Sequence, residues 1–269
     1  MGARDELYVL DRCSGALYTP EVSLRRYRRA VAYHAPAAGL NVVRRPAEYY
    51  RCLANLGAKL ISNAQYAEAC ETFDVLDELV DSHPQGIFPR LDFPRMNHLL
   101  ALYRSKAISA QEAADRQGEL VARVAPVDDS YYAGNAHACF MALAGRPADA
   151  ATLLRDLQVR LHATNDTSVT SIAYLLGANL CSARYAAGDG DVLRDWARLQ
   201  GVLDSLPYVI KPMLSRRHGL LAELFSSHPT PGDAESLDVA LLERSEFGPV
   251  WNNFGRAFRM PEVEFWQDL

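Results

Sequence analysis

Seven histidines, five cysteines and a few paired acids are the side chains of this 269-residue sequence that could hold a metal or run a reaction. The histidines stand at 34, 83, 98, 137, 162, 218 and 228. No two are four apart, no H-E-x-x-H is present, and no Glu precedes any of them by three, so helical zinc and di-iron patterns are missing. His137 and Cys139, two apart, would point to different sides of a helix. Asp128-Asp129 continues as Ser130-Tyr131-Tyr132 and leaves an aspartate-rich magnesium motif incomplete. After Asn165-Asp166 the hydroxyl and the Glu that a second magnesium cluster needs are replaced by Val169 and Ala173. Neither a P-loop nor a strand-borne G-x-G-x-x-G nor a G-x-S-x-G elbow occurs. No metal and no cofactor is expected. A Cys/His dyad is assembled only in space and stays open from sequence. Cys52, Cys70, Cys139 and Cys181 lie in apolar helical contexts and read as buried structural thiols.

Composition narrows the setting. The chain is 49% hydrophobic and 23% charged, ordinary for a folded domain, with no apolar run long enough to span a membrane. Five cysteines without a C-x-x-C pair suit a reducing compartment, and Met1 to Leu10 lacks a signal-peptide core, so a cytoplasmic location is expected. Only Lys59, Lys106 and Lys211 are lysines among 28 basic residues, a bias that hints at a GC-rich, bacterial genome. A net charge of −5 argues against a dedicated nucleic-acid binder. The charge is uneven: residues 1–51 carry nine arginines against five acids, and the remainder 19 basic against 28 acidic residues.

These groups must be positioned by helices. Pro46-Ala47-Glu48 and Pro147-Ala148-Asp149 are helix starts, and Ser109 with Glu112 fits a capping box. Apolar residues recur at three and four, as in Leu53, Leu56, Leu60 and Phe73, Leu76, Leu79, whereas period-two alternation is absent. The chain reads as all-α, with 11 to 13 helices, a loosely ordered lead-in over 1–18, a repeat domain over 19–228 and capping helices over 229–269. In the last piece Phe247, Trp251, Phe254, Phe258, Phe265 and Trp266 would cap the stack or form a homodimer contact.

Residues 49–84 give the clearest internal unit: Leu53, Leu56-Gly57 and Leu60 in one helix, Tyr66, Ala69, Phe73 and Leu76 in the next, then Pro84. A second unit, 131–161, places Ala138 and Met141 before Gly145, and Ala150, Leu154 and Leu157 after it; a third has Leu176-Gly177, Leu180 and Trp196. This pattern resembles the tetratricopeptide repeat (TPR), a helix A–turn–helix B unit of about 34 residues. Gly57 and Ala69 would let the helices approach, with Leu60, Tyr66 and Phe73 filling the seam. The resemblance implies an all-α, TPR-like right-handed α-solenoid of antiparallel hairpins.

It also implies a groove lined by helix A. The corresponding positions are Arg51, Ala54 and Ala58, then Tyr132, Asn135 and Cys139, then Tyr174 and Ala178. Arg51, Tyr132, Asn135 and Tyr174 are the expected partner contacts. Arg25, Arg28 and Arg29 share a helix face and form a candidate patch for an anion or acidic partner, with Arg26 to one side. The lysine/asparagine/arginine clamp that some TPR proteins use for a C-terminal carboxylate is not reproduced. The expected function is non-catalytic binding of a protein or peptide partner, as regulator, scaffold or inhibitory (immunity) partner. The competing reading is an all-α enzyme or small-ligand binder with an unmarked enclosed cavity.

Overall fold

In a computed structural model the described residues are 20–36, 43–83, 87–88, 92–123, 130–163, 170–189, 191–205 and six helical positions between 215 and 226. The expected lead-in over 1–18 and the aromatic caps over 229–269 lie outside them. All secondary structure among the described residues is helical: α1 (Pro20–His34), α2 (Pro46–Ser62), α3 (Tyr66–Asp81), α4 (Asp92–Arg104), α5 (Ala110–Arg123), α6 (Ser130–Leu143), α7 (Pro147–Ala163), α8 (Thr170–Ala186) and α9 (Val192–Asp204).

The sequence signals account for these limits. Pro46 opens α2 with Glu48 in its first turn and Lys59 in its last, so proline geometry and the helix dipole agree. Pro147 and Asp149 do the same for the start of α7. At α5 the Ser109 hydroxyl accepts the Glu112 N–H at 3.1 Å, the expected N-cap bond.

The chain divides into two compact units, Met1–Ala107 and Ile108–Leu269, a division with no marker in the sequence pattern. In the first, α1 packs on α2, α2 on α3 and α3 on α4, and α2 also touches α4. In the second, α5 to α9 pack consecutively and α6 also touches α8. Contact between alternate helices identifies α2 and α4, and α6 and α8, as the A helices that stack on each other. The B helices fill in behind them.

Small residues set the crossings. A methyl group added to Gly57 would run into the ring of Phe73, and one added to Gly177 would lie 2.5 Å from Leu199 Cδ2. Leu60 and Ala69 at the first crossing are fully buried, and Phe73 nearly so. Tyr66, expected in the same seam, sits at its rim and is half-buried, because it is the first residue of α3. α6 and α8 are apolar around most of their circumference and are buried on nearly every side.

The A helices end alike. Four described residues have positive φ: Ala64 (57°), Lys106 (64°), Gly145 (79°) and Gly188 (84°). Each donates its N–H to the carbonyl three residues back, and the residue after it donates to the carbonyl five back. The bonds are Ala64 to Ile61 and Gln65 to Leu60, Lys106 to Tyr103 and Ala107 to Leu102, Gly145 to Ala142 and Arg146 to Met141, and Gly188 to Tyr185 and Asp189 to Arg184, all 2.9–3.0 Å. This is the Schellman geometry, repeated at spacings of 42, 39 and 43 residues. Left-handed backbone strains a residue with a Cβ. Ala64→Gly and Lys106→Gly are therefore expected to stabilise the chain by about 0.5 kcal/mol each, after the gain in unfolded-state entropy is deducted. Gly57→Ala is expected to cost about 1–3 kcal/mol through overpacking against Phe73. Urea unfolding of the three variants checks both directions.

Candidate functional site

Each A helix carries one asparagine at nearly the same register: Asn55, Asn97, Asn135 and Asn179 stand nine, nine, ten and nine residues before the left-handed turn residue. Sequence reasoning singles out only Asn135. Counting back from Gly145 and Gly188 finds Asn179 as well, but the other two turns end on Ala64 and Lys106, which do not advertise left-handed geometry.

In the second unit two of these asparagines meet. Asn179 Nδ2 donates to Asn135 Oδ1 at 2.8 Å and lies 3.4 Å from Cys139 Sγ. All three side chains are fully buried, and Asn135 Nδ2 has no hydrogen-bond partner. A buried polar pair of this kind fixes the register of two helices, because a slip would leave amide groups unsatisfied in an apolar interior.

The residues expected to face an open groove are therefore inside. Tyr132, Asn135 and Tyr174 are 1%, 0% and 0% exposed, and Cys139 and Ala178 are equally covered. The physical reason is that α6 is flanked by α5, α7 and α8, and α8 by α6, α7 and α9. Tyr174 enters an aromatic cluster with Tyr185, Trp196, His218 and Phe225. The His218 ring stacks on Trp196 at 4.2 Å and 13°, Phe225 meets Trp196 edge-on at 5.2 Å, and Tyr185 lies 4.8 Å from Phe225. The Tyr174 hydroxyl and His218 Nδ1 are within hydrogen-bond distance, at 3.1 Å. In the first unit Arg51 is half-buried on α2, one turn before Asn55.

The cationic helix is partly committed. Arg28 Nε and Nη2 grip the Glu68 carboxylate at 2.8 and 2.6 Å, and Nη2 also reaches Gln65. This bidentate pair raises the Arg28 pKa and ties α1 to the first turn of α3. Arg25 and Arg29 remain exposed, while Arg26 is half-buried. Beside Glu68, an open depression is lined by Ala64, Gln65, Tyr66, Ala67 and Ser105.

Cys52, Cys139 and Cys181 are buried as expected, whereas Cys70 is only half-buried and lies 3.8 Å from the Ser105 hydroxyl. Burial pushes Cys181 up to about 12, far from the range in which a thiolate attacks, and it also raises Cys70. A partly buried ionic cluster holds the α8–α9 turn. Arg184 bonds Asp189 at 2.7 Å and also bonds Asp195, which holds the turn and the start of α9 against α8. Arg184 lowers the Asp189 pKa by that bond. Among the described residues no group of three His, Cys, Asp or Glu side chains could hold a metal ion, and no helix is long and apolar enough to cross a membrane.

Burial lowers the pKa of His218, opposed by the charge of Asp204; burial also lowers His34 and His137. The unfolded chain then binds protons more readily than the folded one, so stability is full above about pH 6.5 and declines as pH falls below it. Thermal melts between pH 7.5 and 5.5 should show this loss, and His218→Gln should flatten the pH profile. Replacing Asn135 by Leu removes the oxygen to which Asn179 donates at 2.8 Å and should cost about 1–3 kcal/mol. Adding Asn179→Leu should cost less than the sum of the single changes in a double-mutant cycle.

No protein-family model matches the sequence, and no curated protein matches it. Among solved structures the chain is similar to a crystal structure of a point variant of a Podospora anserina protein, assigned as a kinesin light chain with nearly identical TPR-like repeats. The likeness covers 79% of this chain and 96% of that chain, with a TM-score of 0.51 and 14% sequence identity. At that identity the likeness is one of fold, and it agrees with the stacked A and B helices and their repeated turns. The chain has a TPR-like α-solenoid fold.

Proposed function

We propose that this chain is a recognition protein that binds a protein or peptide partner without making or breaking covalent bonds. The observation that carries the reading is the TPR-like fold, an array of helix hairpins that offers repeated positions for contact. Asn55, the one asparagine of that register that is only half-buried, supports it, since its amide can meet the donors and acceptors of a peptide. First contact falls on α2, where Arg51 and Asn55 keep part of their surface in solvent. Tyr132, Asn135 and Tyr174 are buried within the second unit, and a partner would reach them only by uncovering α6 and α8. The Cys181 thiol, held protonated by burial, weighs against its use as a nucleophile. Roles as regulator, scaffold or immunity-type inhibitor are all compatible with binding of this kind. Cytoplasmic location, bacterial origin and dimerisation through the C-terminal aromatics rest on the sequence alone.

The test is chemical cross-linking of the tagged full chain in its native cell extract, followed by mass spectrometry of the captured complex. The expected result is one stoichiometric partner with cross-links concentrated near α2, weakened at least about tenfold by Arg51→Glu with Asn55→Ala, a loss of about 1.4 kcal/mol. Native mass spectrometry showing a retained small molecule, with no stoichiometric protein, would overturn the reading in favour of a ligand-binding cavity.

A further inference from the structure

The first unit carries opposite charges on two neighbouring helices. α1 presents Arg25, Arg28, Arg29 and Tyr33 to solvent, and Tyr33 is 69% exposed. These residues recur at three and four and so share a face. α3 has six carboxylates and no basic residue, and its outward stripe is Glu71, Asp74, Val75, Glu78 and Asp81. The Arg28–Glu68 pair joins α1 to α3 with both groups still well exposed, so the two helices border a common surface. Asp74 also faces His98 at 3.4 Å, whereas Glu71, Glu78 and Asp81 form no ion pair among the described residues. Tyr33 and Val75, the latter 40% exposed, add one apolar contact to each stripe.

A surface with a basic helix beside an acidic one is complementary to its own copy when a two-fold axis runs between them. We infer that this face binds a second copy of the chain, with α1 of each copy against α3 of the other. The Arg28–Glu68 pair already shows that guanidinium and carboxylate groups of these helices match in reach. Exposed ion pairs contribute little individually, so the association is modest in strength and weakens as salt screens it. It is independent of the partner binding proposed above, because Arg51 and Asn55 take no part in it.

Sedimentation equilibrium of the full chain tests the inference. At about 50 mM salt the mass should rise with concentration from 29.8 kDa toward twice that value, and about 500 mM salt should return it to the monomer. Arg25→Glu with Arg29→Glu, and separately Glu71→Arg with Glu78→Arg, should each weaken self-association at least about tenfold while helical circular dichroism is unchanged. Mixing the two reversed variants should restore the dimer, since each then carries the face the other lacks. A monomer at every concentration and salt, a dimer that survives both reversals, or reversed variants that fail to pair would overturn it.

Discussion

A left-handed residue that ends each A helix is the constraint from which the architecture follows. The two bonds it closes satisfy carbonyls that a helix end would otherwise leave open, and they reverse the chain within three to five residues. In the first and third cases the residue after the turn, Gln65 or Arg146, directly precedes the next helix. The geometry recurs with Ala64 and Lys106 as well as with Gly145 and Gly188, so the surrounding structure imposes it even where the side chain resists. Once the reversal is fixed, helix B must cross helix A where one partner is small, and Gly57 and Gly177 stand at those crossings.

The same constraint explains which parts of the fold are legible in the sequence. Helix starts at Pro46, Pro147 and Ser109, the close approach at Gly57 and the turn at Gly145 each have a residue whose chemistry demands what is observed. The repeat period is harder to read. Spacings of 39 to 43 residues between turns exceed the roughly 34 of the standard TPR unit, and two of four turns lack glycine. The asparagines are hidden for the same reason, since their equivalence emerges only when they are counted from the turns.

Exposure is the weakest inference from sequence. Position within a TPR-like repeat assigns Tyr132, Asn135 and Tyr174 to a groove, but burial depends on what lies against α6 and α8, which no local pattern encodes. Asn135 instead pairs with Asn179, and Tyr174 joins the aromatic cluster around Trp196 and His218. Charge is more informative. Arg28, read from helical spacing as part of a cationic face, finds its counterion in Glu68, forty residues away. The exposed arginines of α1 and the acidic stripe of α3 leave opposite charges side by side at the surface of the first unit.

The central claim is that the four left-handed turns are one structural device repeated along the chain. Native-state hydrogen exchange by NMR tests it most directly, through the amides of Gln65, Ala107, Arg146 and Asp189, which close the turns. All four should exchange far more slowly than the exposed, unbonded amides of connecting segments. Exchange of any of these amides at the rate of a free loop would contradict a common turn and the repeat built on it.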